Sequence, residues 1–252
     1  MTIYPGSAFK SHRCPLFLAS VTSAEEARVC VDAGVSILDA KNPRTGALGA
    51  LEHNIVREIV ETVRQSSKPA LPVSATIGDL PLEPQLVSGA AGDMAACGVD
   101  YVKIGIGAEG DASAAIRALG CTDIGDARLV AVLFADQRPD FDLVCELSAA
   151  GFAGVMLDTA EKKSGGLRDV LSAQEIREFV SCSRDSGLLC GLAGSLKLED
   201  ISPLGAFQPD ILGFRGALCL DSDRTFAIDE SRIGAVRAAL DALDCETATV
   251  TR

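Results

Sequence analysis

Short apolar runs typical of buried strands alternate with amphipathic stretches along almost the whole chain. This alternation predicts repeated βα units, in which each strand is followed by a helix and the strands form a parallel sheet. Eight strands are predicted, at Leu16–Val21, Val35–Asp39, Leu71–Thr76, Tyr101–Ile104, Leu129–Phe134, Gly154–Asp158, Leu188–Gly191 and Ile211–Phe214. Eight units in 252 residues suit one α/β domain, a (β/α)8 TIM barrel over residues 1–252 with a short extension after about residue 240. An open doubly wound sheet is the alternative.

Capping residues mark the ends of the intervening helices. The segments Thr22-Ser23-Ala24-Glu25 and Ser172-Ala173-Gln174-Glu175 each place a hydroxyl two or three residues before a glutamate, as at helix starts. A glycine suited to a left-handed C-cap comes just before four of the strands, at Gly34, Gly98, Gly151 and Gly187.

Composition excludes several classes of protein. The net charge of −12 and the isoelectric point near 4.6 argue against nucleic-acid and anionic-membrane partners. No apolar run is long enough to cross a bilayer and no signal peptide is recognisable, so a cytoplasmic location is expected. The nine widely spaced cysteines lack a Cys-x-x-Cys pair and are expected to be small buried apolar residues. No metal site is expected, because neither histidine has ligand spacing with cysteine.

Ionisable residues end three of the predicted strands. Asp39 and Lys41 lie two residues apart and would share one face, while Lys103 and Asp158 end the fourth and sixth strands. The C-terminal ends of the strands of a barrel meet at one mouth, where active sites are built, so these side chains are expected to converge there. A solvated surface salt bridge is the alternative for any single pair.

Two lysines in one partly desolvated pocket disfavour each other's protonated form, which lowers an amine's pKa toward neutrality. A neutral lysine amine is a nucleophile, so the pattern indicates Schiff-base carbonyl chemistry or acid/base work on a carbon acid. Lys162 follows Asp158 by four residues on the next loop, where lysines are usually only solvated.

Glycine-containing segments lie near the seventh predicted strand and after the eighth. Gly191, Gly194 and Ser195 belong to the first segment, and Arg215 and Gly216 to the second. Loops after these two strands often bind phosphate in barrels, because glycines let backbone N–H groups approach the anion. The sequence therefore predicts a phosphate site here, with tight turns as the alternative reading of each glycine.

One further motif, Gly105-Ile106-Gly107-Ala108-Glu109-Gly110, matches G-x-G-x-x-G after a strand. It has an acidic residue where pyrophosphate would lie and lacks the rest of a dinucleotide-binding half. It is interpreted as a flexible loop at the mouth.

Four segments together resemble the (5-formylfuran-3-yl)methyl phosphate synthase family of methanofuran biosynthesis. They are Leu38-Asp39-Ala40-Lys41-Asn42-Pro43, Tyr101-Val102-Lys103-Ile104-Gly105, Met156-Leu157-Asp158-Thr159-Ala160 and Gly191-Leu192-Ala193-Gly194-Ser195. The resemblance runs from about Leu16 to Ala239. It implies a barrel enzyme that condenses two molecules of glyceraldehyde 3-phosphate into a furan phosphate, with release of phosphate and water and without a cofactor.

The resemblance also implies roles for individual residues. Lys41 corresponds to the Schiff-base lysine and Lys103 to the acid/base lysine, with Asp39, Asp158 and Lys162 in support. Asp39 is expected to hold the Lys41 amine and stabilise its iminium. Either of two adjacent lysines, Lys162 or Lys163, could correspond to the family's supporting lysine, and the spacing from Asp158 favours Lys162.

Other functions share the same strand-end residues. A lysine-dependent aldolase, or a decarboxylase that uses an Asp-x-Lys pair without a covalent intermediate, is the nearest alternative. A non-catalytic barrel that binds a phosphorylated metabolite is a more distant one. A homo-oligomer is compatible with every reading.

Overall fold

A computed structural model describes residues 14–161 and 165–249, with side chains up to Leu243. The strands are β1 (Leu16–Val21), β2 (Ile37–Ala40), β3 (Val73–Thr76), β4 (Tyr101–Ile106), β5 (Arg128–Phe134), β6 (Gly154–Asp158), β7 (Leu189–Leu192) and β8 (Ile211–Phe214). Each strand pairs in parallel with its neighbour in sequence, and β8 pairs with β1 to close the barrel. The predicted (β/α)8 barrel is therefore confirmed.

Helices follow the strands and cover the outside of the barrel. They are α1 (Ala24–Asp32), α2 (His53–Arg64), α3 (Pro84–Ala95), α4 (Ala112–Gly120), α5 (Leu143–Ala149), α6 (Leu167–Val170), α7 (Ala173–Asp185), α8 (Ile201–Gly205) and α9 (Glu230–Thr249). A short 3-10 turn, Ala135–Gln137, follows β5, and another, Gly216–Leu218, follows β8. The predicted extension after residue 240 continues α9.

The apolar core has two parts, because alternate residues of a strand face opposite sides. The larger part lies between the outer faces of the strands and the helices. The smaller part fills the barrel interior with Leu18, Ile37, Val132, Met156 and Ile211. The inward faces become polar toward the C-terminal ends of the strands, and this change of polarity positions the site.

The helix caps follow the sequence signals. The Ser23 hydroxyl accepts a hydrogen bond from the backbone N–H of Glu26 at 3.3 Å, and Ser172 forms a capping box with Glu175. The four glycines predicted at helix ends, Gly34, Gly98, Gly151 and Gly187, have φ from +75° to +87°. Only a residue without Cβ adopts this backbone region at little cost.

The cysteines are less uniformly buried than predicted. Cys30, Cys97, Cys190 and Cys219 are buried, but Cys121 and Cys145 are exposed, so the prediction is wrong for these two. Cys121 caps the C-terminal end of α4, where the helix meets solvent. In the described part of the chain, no helix has the length and apolar character that crossing a bilayer requires.

Candidate active site

Asp39 lies at the centre of a polar cluster inside the barrel. Its Oδ1 is 3.1 Å from Nζ of Lys103, and both side chains are almost completely buried. Ser74 donates a hydrogen bond to Oδ1 at 2.6 Å, and Ser20 donates one to Oδ2 at 3.1 Å. Donors from β1, β3 and β4 thus surround one carboxylate on β2, which satisfies a charge that would be costly to bury alone.

The electrostatics of this pair lower the pKa of both groups, which favours an ionised Asp39 and makes the Lys103 ammonium more acidic. Burial by itself would raise the pKa of the Asp39 carboxyl, but Lys103, Lys41 and the hydrogen bond from Ser74 hold that pKa below its ordinary value. Burial lowers the pKa of Lys103, Asp39 offsets part of this effect, and Lys41 lowers the pKa further. Lys103 is therefore easier to deprotonate than a solvated lysine.

Lys41 forms the second ion pair, with Asp158 rather than with Asp39. Its Nζ lies 3.4 Å from Oδ2 of Asp158, and the two side chains are 10% and 5% exposed. The other oxygen of Asp158 accepts the backbone N–H of Thr159 at 2.7 Å. The expectation that Asp39 holds the Lys41 amine is thus wrong for the direct contact, because the Lys41 side chain reaches across the mouth to β6.

The predicted residues on β2, β4 and β6 do come together. Asp39 lies on β2 and Lys41 directly follows this strand, and the cluster they form with Lys103 and Asp158 contains two positive and two negative groups. The balance of charge lets all four groups lie in a water-poor interior. Lys41 is the most exposed of the four at 9%, so its amine is the group nearest to an incoming molecule.

The loop after β2 packs against the barrel interior. Asn42 and Gly49 close its base through a backbone hydrogen bond of 2.8 Å, and the Thr76 hydroxyl donates to the Gly49 carbonyl at 3.0 Å. Leu48 is fully buried in the apolar cluster of the barrel interior. The loop is therefore anchored to β3 through Thr76 and to the barrel interior through Leu48.

The glycine-rich motif after β4 does not form the predicted flexible loop throughout. Gly105 is part of β4, and a Cβ there would lie 2.9 Å from Leu48 Cδ1 and 3.0 Å from Phe134 Cζ. The missing side chain makes room for these two residues. Helix α4 begins only at Ala112, with Asp111 as its N-cap.

The residues predicted to bind phosphate divide into two groups. Gly194 and Ser195 form the turn after β7, with φ of +106° and +50°, and Gly216 begins the 3-10 turn after β8. In the described part of the chain, the backbone N–H groups of Ser195 and Gly216 have no acceptor. Gly191 instead lies within β7, where a Cβ would lie 2.6 Å from Met156 Cγ. Gly191 therefore provides space for Met156, contrary to its predicted role.

Arg215 directs all five of its side-chain N–H groups to protein oxygens. Two reach the carboxylate of Glu26, at 2.6 and 3.1 Å. The others reach the backbone carbonyls of Ser20, Arg224 and Phe226, at 2.9 to 3.1 Å. With every donor used, the guanidinium has none left for a phosphate, contrary to the prediction.

Lys162 and Lys163 lie outside the described residues. Sequence reasoning missed the anchor of the segment before them, which is Asp136. Its two oxygens accept the backbone N–H groups of Ala160 and Glu161 at 2.8 and 2.7 Å. It also missed Ser20 and Ser74, although each is a polar residue at an inward position of an otherwise apolar strand.

Within the described residues, no three histidine, cysteine or acidic side chains are grouped as a possible metal site. The functional groups available at the mouth are thus two amines, two carboxylates, hydroxyls and backbone N–H groups. Such a set can form an imine, move protons and bind an anion.

Comparison with known proteins identifies the family. Residues 17–237 match the family model described as 4-HFC-P synthase. The chain is 40% identical over 219 residues to a protein of Methylorubrum extorquens, covering 87% of this chain and 89% of that protein. It is 39% identical over 221 residues to the (5-formylfuran-3-yl)methyl phosphate synthase of Methanopyrus kandleri, covering 83% of this chain and 92% of that protein.

Solved structures agree on the fold. The structure of KGPDC from Streptococcus mutans in complex with D-R5P superposes with a TM-score of 0.61 at 14% identity, covering 91% of this chain and 98% of that chain. At this identity the likeness concerns the barrel alone. The family model covers most of the chain, and two relatives at about 40% identity span nearly their whole lengths. The chain therefore belongs to the 4-HFC-P synthase family.

Proposed function

We propose that the protein is a (5-formylfuran-3-yl)methyl phosphate synthase of methanofuran biosynthesis. It would condense two molecules of glyceraldehyde 3-phosphate into the furan phosphate, releasing one phosphate and water. The observation that carries this proposal is the pair of buried ion pairs, Lys41 with Asp158 and Lys103 with Asp39, at the mouth of a barrel from this family. Two amines in different settings supply a nucleophile and a base within one site.

The first step would use Lys41 as the nucleophile. Its neutral amine adds to the carbonyl carbon of a triose, and loss of water from the adduct leaves an iminium. The iminium draws electrons from the C–H bond of the neighbouring carbon and so acidifies it. The carboxylate of Asp158, 3.4 Å from the amine, would stabilise the positive charge.

Lys103 would remove the proton from that carbon. Its lowered pKa lets the neutral amine take up a proton, and Asp39 then stabilises the ammonium that results. The electron pair left by the proton forms an enamine and expels phosphate from the next carbon. The carbon skeleton then forms a carbon–carbon bond with the second triose, and ring closure with loss of water gives the aromatic furan. Hydrolysis of the iminium finally releases the furan aldehyde and returns Lys41 as a free amine.

Phosphate groups would be held by backbone N–H groups of the turns after β7 and β8. Ser195 and Gly216 present N–H groups with no acceptor among the described residues, on the side of the barrel where phosphate sites are common. Gly194 has a φ of +106°, which turns the chain so that Ser195 follows in a left-handed conformation. An acidic protein needs such local donors to bind an anion.

Product formation tests the proposed reaction. Purified protein given glyceraldehyde 3-phosphate alone should produce a furan chromophore in the ultraviolet and release inorganic phosphate in step with it. The product's mass should match the furan phosphate. Carbon–carbon bond formation without a furan would instead favour an aldolase, and carbon dioxide release from a sugar acid phosphate would favour a decarboxylase.

Borohydride trapping tests the covalent step. Hydride added to an iminium gives a stable secondary amine, so peptide mapping should find the triose mass on the segment that contains Lys41. The Lys41→Arg protein should be inactive and untrapped, because a guanidinium keeps the charge without forming an imine. The matched control is Lys197→Arg, at an exposed lysine, which should react as the unaltered protein does. Trapping on Lys103 instead of Lys41 would make Lys103 the residue that forms the imine and Lys41 the base.

A further inference from the structure

Arg224 presents a guanidinium at the rim of the barrel mouth. It belongs to the segment after β8 and donates from Nη2 to the Gly46 carbonyl of the loop after β2, at 3.2 Å. It is half-buried, and within the described residues it forms no ion pair. Arg224 therefore joins two loops of the mouth and keeps most of its N–H groups available.

A second arginine lies close by. Arg44, on the loop after β2, is exposed and likewise forms no ion pair with a described residue. Arg44 and Arg224 are both near enough to Asp223 to help lower its pKa, after the larger effects of hydrogen bonds from Thr225. The two cations thus share one part of the rim in a chain whose net charge is −12.

The nearby acids are already used by the protein. Asp223 accepts hydrogen bonds from the backbone N–H and the hydroxyl of Thr225, at 2.9 and 2.8 Å. Asp79 directs both oxygens to the backbone N–H of Leu48, each at 3.3 Å. Within the described residues neither acid forms an ion pair with Arg44 or Arg224, so both guanidinium groups keep N–H donors for an added anion.

The backbone of the segment that carries Arg224 is held by Arg215. The fully bonded guanidinium of Arg215 donates to the Arg224 carbonyl at 2.9 Å and to the Phe226 carbonyl at 2.9 Å. The segment that carries Arg224 is therefore fixed to the barrel through Arg215 and its partner Glu26. A preorganised arginine loses less freedom when it binds an anion than a mobile one does.

We infer that Arg224, assisted by Arg44, binds the phosphate group of one of the two trioses. This inference rests on the proposed function, in which two phosphate monoesters must lie in the same mouth. The N–H groups after β7 and β8 would take one of them, and Arg44 together with Arg224, whose guanidinium reaches the loop after β2, would take the second. Arginine suits this ligand because its planar fork can bind two phosphate oxygens at once.

The test compares Arg224→Ala and Arg44→Ala with Arg117→Ala, which removes the same charge from an exposed position on α4. In furan formation, Arg224→Ala should raise KM by about tenfold or more, as expected for a lost charge-assisted hydrogen bond. Arg44→Ala should raise KM less, and Arg117→Ala should leave it unchanged. Arg224→Lys, which keeps the charge without the fork, should lie between the alanine variant and the unaltered protein.

Calorimetric titration with inorganic phosphate separates this inference from the proposed function. The unaltered protein should bind two phosphates per chain and Arg224→Ala only one. Unchanged phosphate binding together with an unchanged KM in Arg224→Ala would overturn the inference and leave the proposed function standing. If the unaltered protein forms no furan, the proposed function fails, and the phosphate titration decides the arginine site by itself.

Discussion

Lys103 and Lys41 differ in how tightly the protein holds them, although both are buried lysines of one cluster. Lys103 has a 3.1 Å contact with a carboxylate that hydrogen bonds from β1 and β3 also position, while Lys41 has a 3.4 Å contact near the opening. The sequence predicted that these residues converge, because the period of two in β2 and the strand ends of a barrel require it. The expected contact between Asp39 and Lys41 was wrong, since the partner of each lysine depends on side-chain reach across the closed barrel.

Replacement of Lys103 tests its role as a base. Lys103→Met keeps much of the side-chain volume but cannot accept a proton, so kcat should fall by about 10²- to 10⁴-fold with a smaller change in KM. The variant also leaves Asp39 buried without its cation, so circular dichroism should first show that it is folded. If its kcat is close to that of the unaltered protein, the proton must be moved by another group.

The pH dependence of kcat should report the pKa of Lys103. Activity requires the neutral amine, so kcat should fall as the pH drops through that pKa, which lies below the ordinary lysine value because of burial. Asp39 raises this pKa, so Asp39→Asn should move the acid limb of the profile to lower pH. Asp93→Asn, at an exposed site on α3, is the matched control and should leave the limb in place. A shift to higher pH in Asp39→Asn would contradict the proposed pairing.

At the level of elements, the 3-10 turn Ala135–Gln137 after β5 fixes the loops on both of its sides. Asp136 accepts two backbone N–H groups from the loop after β6, and Gln137 accepts the N–H of Ala108 from the loop after β4, at 2.9 Å. The turn therefore connects the segments that follow Asp158 and Lys103. These contacts could not be predicted from the sequence, because they join residues 24 to 29 positions apart through side chains on an irregular segment.

Asp136 should act as a positioning residue for the loop after β6. Asp136→Ala removes both acceptors, so the loop should loosen and Asp158 should lose its fixed orientation toward Lys41. We expect kcat to fall more than KM rises, with partial recovery in Asp136→Asn, which keeps one acceptor oxygen. Hydrogen exchange at Ala160 and Glu161 should quicken in the alanine variant. Asp126→Asn, on an exposed loop, serves as the control, and normal exchange in Asp136→Ala would contradict this role.

Strand and helix positions were largely predictable, and the differences have local causes. The limits of β1, β6 and β8 agree with those predicted, whereas β2 begins at Ile37 instead of Val35. Strand β4 continues to Ile106, because Gly105 and Ile106 pair with Val132 and Leu133 of β5. Apolar patterning identifies a strand, but its last residues depend on the length of its neighbour.

At the scale of the whole molecule, barrel closure depends on contacts between the two ends of the chain. Strand β8 pairs with β1, and Arg215, just after β8, binds Glu26 of α1 and the Ser20 carbonyl of β1. The number of βα units predicted a closed barrel. The sequence could not show that Arg215 joins its first and last strands, because residues 189 and 195 positions apart carry no shared periodic signal.

Arg215 should therefore contribute to stability more than to phosphate binding. Arg215→Met leaves Glu26 without its cation in a mostly buried position, so the free energy of unfolding should fall by about 3–5 kcal/mol. Urea denaturation measures this loss through a lower transition midpoint with an unchanged slope. Glu26→Gln should lower the free energy of unfolding less in the Arg215→Met protein than in the unaltered protein, because the ion pair is already broken there. A variant with unchanged stability and a raised KM would instead restore Arg215 as a phosphate ligand, since only a guanidinium with donors directed to the substrate would give that result.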